Sequence, residues 1–332
     1  MLIFCIGCSQ QQDKKLITEE DLRKGTEALS ISFVERMPQE KVFSADEDDP
    51  SSGLFEIGLK LSNRGAYDIQ SGVVTLSLEK GYINDIKKKW KSSDNKFDER
   101  YEGNFFSFQL NGKRPENTLG DTIFFYKTLQ AQIPAADKES QIRKSTIIAT
   151  ACYDYKTTKS VAICVDPQPS AQAVSKKPCE IKDQTFDSQG GPLAITKISP
   201  RPLVKENSAT IELLIYVKNK GNGQIIPYNK ILDACKPTGG LLSQDSTISF
   251  WNTITEEEFK ISFSNEKGTF KCGPFPMKLS GGEEDYIRCV YEGFITGREA
   301  YTTILNIEIS YGYTTSISKD ITIEKPSKVI AQ

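Results

Sequence analysis

Eight cysteines are the residues of this chain best suited to covalent chemistry: Cys5, Cys8, Cys152, Cys164, Cys179, Cys235, Cys272 and Cys289. No histidine accompanies them. That removes the commonest general base, the commonest zinc ligand and every Ser-His or Cys-His nucleophile pair. The last six are even in number, and none stands in a C-x-x-C arrangement. Dispersed cysteines without histidine suit disulfides better than zinc. Cys152, Cys164, Cys179, Cys235, Cys272 and Cys289 are therefore expected to be bridged, in an exported and extracellular chain. No metal site and no cofactor is expected.

The first two cysteines imply different chemistry. Residues Met1 to Ser9 form a short apolar run ending in a small residue and then Cys. This resembles a lipobox, in which Cys8 is acylated and becomes the first mature residue, with Gly7 at the cleavage position. Cys5 then falls in the discarded part. A positively charged leading stretch is missing, and seven residues are short for an apolar signal core, so the natural start is expected upstream. One acyl chain anchors only marginally, and a diacylglyceryl group adds more. Ser9 to Lys24 reads as a polar tether. Within it, Thr18 followed by Asp21 three residues on can cap a short helix.

Carboxylate chemistry is the remaining catalytic option. Asp46, Glu47, Asp48 and Asp49 crowd one loop, but Pro50 and the absence of an EF-hand pattern argue for a solvated acidic loop, not a calcium site. Glu256-Glu257-Glu258 is likewise expected on the surface; glycoside hydrolysis needs a cleft to pair such groups. Lys87-Lys88-Lys89-Trp90-Lys91 sets a basic cluster beside an aromatic ring, making Trp90 a candidate contact for anionic lipid or polysaccharide. The chain as a whole has 42 basic and 44 acidic residues. That balance provides no field for nucleic acid.

The elements that must position these residues follow from periodicity. With 332 residues and 38% hydrophobic composition, two domains are expected. Apolar residues alternate at Phe55, Ile57, Leu59 and Leu61, and again at Ile211, Leu213, Ile215 and Val217, an offset of 156. Period two marks half-buried strands. Each copy ends in Asn, a basic residue and Gly, which suits a tight turn with positive φ. A second match sets Ala149, Ala151, Tyr153 and Tyr155 against Ile307, Ile309, Tyr311 and Tyr313, an offset of 158. The two matches in order imply an internal repeat.

Further strands are expected at Val73–Leu78, Asn104–Leu110 and Thr122–Ile133, and at Thr247–Trp251, Phe259–Phe263 and Tyr286–Phe294. Tyr82 to Trp90 reads as one helical turn. Short strands with polar turns indicate an all-β chain of two tandem β-sandwich domains. The expected layout is a leader and tether over 1–25, domains over 26–167 and 180–326, a Pro-rich linker over 168–179, and a tail over 327–332. Gln189-Gly190-Gly191-Pro192 is a domain-entry turn. Leu214 and Tyr216 fall on the outward face of their strand, which makes them candidate partner contacts.

Cysteine pairing can be tested against a hairpin. A turn at Thr157-Thr158-Lys159 places Cys152 opposite Cys164, close enough to bridge. Closing so short a loop stabilises by about 2–3 kcal/mol. Ser310 stands at the position of Cys152 in the second copy. The other four cysteines allow three pairings. Cys272 with Cys289 and Cys179 with Cys235 is the expected one.

The repeated unit resembles the adhesion-type, immunoglobulin-like (CARDB-type) β-sandwich modules of prokaryotic, above all archaeal, cell-surface proteins. The likeness rests on Leu61-Ser62-Asn63-Arg64-Gly65 and Val217-Lys218-Asn219-Lys220-Gly221, with Cys152-Tyr153-Asp154-Tyr155 and Gln189-Gly190-Gly191-Pro192. It implies surface display and contact with protein or glycan, and no reaction. No Asn-x-Ser/Thr sequon is present. The expectation is a non-enzymatic cell-surface lipoprotein, membrane-anchored through its lipid. The alternatives are a subunit of a self-assembling surface filament or layer, and a solute-binding component or carboxylate-dependent hydrolase.

Overall fold

The computed structural model describes residues 18–46, 49, 51–86, 89–93, 103–137, 139–168, 177–205, 208–235, 251–265, 267–279, 284–293 and 299–326. Strand accounts for 59% of these and helix for 7%, so the chain is all-β. A single turn of helix, α1 (Glu19–Leu22), opens the described chain, capped reciprocally by Thr18 and Asp21 as the sequence predicts.

The strands before the midpoint are β1 (Leu29–Phe33), β2 (Lys41–Phe43), β3 (Leu54–Asn63), β4 (Ile69–Ser77), β5 (Ile83–Asp85), β6 (Lys91–Ser92), β7 (Phe105–Leu110), β8 (Thr122–Ala131) and β9 (Ile142–Val165). After it come β10 (Gln184–Thr185), β11 (Leu193–Lys205), β12 (Ser208–Asn219) and β13 (Gln224–Ile226). A short helix α2 (Ile231–Ala234) follows, then β14 (Thr253–Ile254), β15 (Phe259–Phe263), β16 (Thr269–Gly273), β17 (Met277–Lys278), β18 (Glu284–Glu292) and β19 (Tyr301–Glu324). The expected segment at Thr247 lies outside the described residues up to Trp251. The helical turn expected over Tyr82–Trp90 is replaced by β5, which pairs with β8.

Three principal sheets result. Two are outer sheets, ordered β1-β3-β8-β5 and β10-β11-β12-β18-β16. Both face the third, a seven-stranded sheet, β13-β19-β9-β4-β7, with β15 and β2 also on β19. Strands from both sides of 168–179 therefore fill one sheet. Its spine is the antiparallel ladder of β9 with β19, 24 residue pairs from Ile142↔Glu324 to Val165↔Tyr301 without a register break. Strands usually run about 5–6 residues. These two are long enough to serve two packing layers each. The first stretch of β9 also pairs with β4, while the first stretch of β19 pairs with β15 and β13.

The first outer sheet packs on the section built from β7, β4, the start of β9 and the end of β19; Phe106 of β7 meets Phe125 of β8 at 4.1 Å. The second packs on the opposite section, where Phe263 of β15 meets Tyr291 of β18 at 5.2 Å. One continuous hydrophobic core spans both, from Ala28 to Ile323.

The ladder corrects the expected hairpin. Residues 157–159 lie inside β9, and Cys152 and Cys164 sit on one strand, roughly 40 Å apart at the usual rise. They cannot bridge each other. Tyr155 to Val161 contains no Gly, Asn, Asp or Pro and includes the strand formers Tyr155, Thr157, Thr158 and Val161, so nothing in it favours a tight turn. Thr157 is fully buried, donating to the Leu193 carbonyl at 2.7 Å. The bridges observed are Cys152–Cys235, Cys164–Cys179 and Cys272–Cys289. The last pair is as expected, directly opposed in register between β16 and β18. The expected Cys179–Cys235 pairing is not, because Cys179 is drawn to the far end of β9 and Cys235 to its middle.

At the centre of the ladder four tyrosines point inward. Tyr153 stands opposite Tyr313 and Tyr155 opposite Tyr311. Their hydroxyls fasten the turns above them. The Tyr155 hydroxyl accepts from the Tyr67 amide at 3.0 Å, and the Tyr313 hydroxyl accepts from the Gly223 amide at 2.8 Å. In the first turn the Asn63 side chain donates to the Tyr67 carbonyl and accepts from the Gly65 amide. Asn219 does the same with Gly223 and Gly221. The same contacts thus recur at an offset of 156 residues.

Gly65 and Gly221 do not adopt the positive φ expected of them. They are required for space: a Cβ on Gly65 would collide with the Tyr155 hydroxyl, and one on Gly221 with the Tyr313 hydroxyl. Gly65→Ala and Gly221→Ala are each expected to destabilise by about 1–3 kcal/mol through overpacking. Urea unfolding checks this; an unchanged midpoint in both variants contradicts the packing described.

Candidate functional site

Odd-numbered residues of β9 face the core, so Cys152, Asp154 and Lys156 face away from it. On this outer side the segment Ile226–Cys235 forms a plug, held by the Cys152–Cys235 bridge and packed with Val73 into a small second cluster. Its seat is Gly312, where a Cβ would press on Ile226 and Ile231 at 2.7 Å. Beside the plug opens a cleft of about 410 Å³. Asp154, Lys156, Glu308 and Ser310 of the central ladder line it, together with Gln70, Tyr228, Asn229, Glu257, Glu258 and Lys260.

Asp154 is buried opposite Gly312. Its Oδ1 accepts the amides of Gln70 and Ser71 at 2.9 and 2.7 Å. Those amides are turned toward it by a register shift in β4 between Ile69 and Gly72. Burial raises the Asp154 carboxyl above its ordinary value, and the two amides only partly oppose this. Glu258 is also buried, contrary to the surface position expected of it. Its Oε2 accepts from Thr255 N at 2.8 Å, and its Oε1 accepts the Tyr228 amide. Burial raises its pKa too. Glu308 faces both Lys260 at 3.7 Å and Lys156 at 3.9 Å. Glu256 and Glu257 are exposed.

Both buried carboxylates thus hold backbone amides. Glu258 uses both of its oxygens this way, which leaves it a fastener of the 227–258 segment, not a free acid–base group. The described residues contain no cluster of three or more His, Cys, Asp or Glu able to hold a metal. The cleft offers hydrogen-bond acceptors, two lysines and the half-exposed Tyr228 ring, without a nucleophile–base pair.

Sequence reasoning missed Asp154 and Tyr228, whose places depend on the ladder and the plug. Glu258 was missed as well, and the signal that could have placed it is its capping-box spacing with Thr255, a box that the structure closes.

The candidate contacts on the surface fare differently. Trp90 is buried, its indole donating to the Gly103 carbonyl at 3.2 Å, with Phe106 beside it at 4.5 Å and the Lys127 ammonium over its ring at 5.5 Å. It is a core residue and not a free contact; Lys89 and Lys91 are exposed, while Lys87 and Lys88 lie outside the described residues. Leu214 is likewise buried, because Arg288, opposite it in register, reaches diagonally to Glu212 on the same face. Tyr216 is half-buried against Tyr286, ring centroids 5.5 Å apart, with Lys197 over its ring. Glu47, Asp48 and Pro50 of the acidic loop lie outside the described residues, as do Cys5 and the proposed acylation site Cys8.

No helix among the described residues is long and apolar enough to cross a membrane. Comparison with known proteins adds no likeness: no family matches the chain, and no curated protein does.

The raised Asp154 carboxyl has a signed consequence for stability. The folded state holds this proton to higher pH than the unfolded state, so its contribution is complete below the ordinary carboxylate pKa and is lost as pH rises through the raised value. Asp154→Asn keeps the amide acceptor and removes the titration. The unfolding midpoint of the variant is expected to fall less than the wild type's as pH rises from about 4 to 7; parallel curves contradict the assignment.

Proposed function

We propose that this protein is a non-enzymatic cell-surface lipoprotein with a structural or adhesive role, built from two duplicated immunoglobulin-like β-sandwiches. The three disulfides indicate an oxidising, extracellular environment. The duplication is supported by the recurring Asn63/Asn219 turns and the paired tyrosines. In this reading β1 and β2 are the first strand of a sandwich crossing between its two sheets, since β1 pairs with β3 and β2 runs parallel to β19. The likeness to archaeal-type adhesion modules supplies the adhesive role and its protein or glycan partner. Lipid on Cys8 supplies the anchor.

The observation that carries the reading is the covalent locking of the long ladder. Two bridges tie β9 to segments of the second half, at Cys179 and Cys235. A body so fixed suits display and mechanical continuity better than substrate-driven closure.

A second reading, a solute-binding component, draws on the polar cleft of about 410 Å³ beside Asp154, which is large enough for a small molecule.

The test is made in the native host. Wild-type protein is expected in the membrane fraction, with a mass showing diacylglyceryl on Cys8 and a gain of two hydrogens per bridge on reduction. Cys8→Ser is expected to move it to the soluble fraction. A wild-type chain that retains Met1 and carries no lipid overturns the anchor.

A further inference from the structure

Neither half of this chain completes its own sandwich. The first outer sheet faces a section of the seven-stranded sheet that needs the end of β19, with β2 beyond it, and the second faces a section that needs the end of β9. Each 24-residue strand starts in the section of its own half and finishes in the section of the other. The ladder is also symmetric in content. Asp154 and Gly312 stand opposite each other at its middle, and the tyrosine pairs flank them at equal distance.

From this geometry we infer that a second copy of this chain can supply the same strands, giving a strand-exchanged dimer that two of the disulfides then make permanent. The first half of one copy pairs its β9 with the β19 of the other, and the reverse. No contact is needed that the single chain does not already make, which is the condition under which exchange is cheap. The backbone connecting the halves ahead of Cys179 is the 13 residues from Asp166 to Pro178. Extended, they reach up to roughly 45 Å, enough to pass from one body to another.

The cysteines record which arrangement formed. Cys152 and Cys164 lie before the connection on β9, and their partners Cys235 and Cys179 lie after it on the chain. In the exchanged dimer both of these bridges join different chains. Cys272 and Cys289 both lie in the second half, so theirs stays within one chain. Each bridge forms when two thiols lose two protons and two electrons to a disulfide oxidant such as oxidised glutathione, which is reduced to two thiols. Before that step the competition is one of concentration. A tethered half acts at an effective concentration on the order of millimolar, so exchange between copies grows as the local protein concentration approaches that level. Oxidation then fixes the outcome.

The experiment co-produces the wild-type chain, in an oxidising compartment, with a marked copy carrying Ile148→Val, Leu232→Val, Lys278→Arg and Glu292→Asp. All four positions are exposed. Each mutation changes the mass of one tryptic peptide containing Cys152, Cys235, Cys272 or Cys289. Mass spectrometry without reduction reads which copy bridges which. Mixed Cys152–Cys235 peptides in both reciprocal combinations are expected, increasing with expression level, in a covalent species of twice the chain mass. Cys272–Cys289 peptides are expected to remain unmixed. Purely parental Cys152–Cys235 peptides at every expression level overturn the inference. Equal mixing at Cys272–Cys289 overturns it as well, since that marks indiscriminate oxidation.

Discussion

The pairing of β9 with β19 is the interaction on which every other part of this structure depends. Twenty-four successive residue pairs fix the two strands against each other. Both outer sheets then pack on faces that this ladder provides, and one core runs beneath them. The inward tyrosines convert the ladder's register into turn positions, since each hydroxyl bonds backbone in a turn or strand of the layers above it. A buried hydroxyl without its partner costs more than the bond itself contributes, so these contacts specify the arrangement as well as stabilising it.

The two sides of the ladder have different characters. The inner side repeats almost the same chemistry at both ends. The outer side does not: Asp154 lies opposite Gly312, which makes room for the plug, and Cys152 has Ser310 as its counterpart. The Cys152–Cys235 bridge and the cleft therefore exist once per chain. On this outer face backbone amides and buried carboxyls meet.

Much of the fold could be read from local pattern. The alternation in 55–61 and 211–217 gives β3 and β12, and the Asn-base-Gly endings give equivalent turns, although their glycines serve close packing and not backbone conformation. The runs at Val73, Asn104, Thr122, Phe259 and Tyr286 all lie in strands whose ends fall within a few residues of the expected ones. What pattern could not supply was partner choice. A strand followed by Lys-Thr-Thr-Lys-Ser can turn back or continue, and both keep its oily residues on one face. Continuation is decided by β19, some 150 residues away, and the disulfide pairing changes with it. Trp90 and Leu214 looked exposed for the same reason: the groups that cover them, Lys127 and Arg288, come from strands distant in sequence. Among the site residues, Glu258 was expected on the surface although its capping spacing with Thr255 carried a signal, whereas Asp154 needed the bulge in β4 to show what it holds.

The length of the ladder also sets how the molecule bears load. Tension applied along the strand axis acts on the hydrogen bonds of β9 and β19 sideways and all at once, so they resist as a group. The same bonds peeled from one end would open in sequence, each bearing the whole force in turn. Cys152–Cys235 sits near the middle and Cys164–Cys179 at one end, and each fastens β9 to chain outside β19, so neither bridge crosses the ladder itself. The ladder therefore holds by its hydrogen bonds, and its strength depends on the direction of the pull.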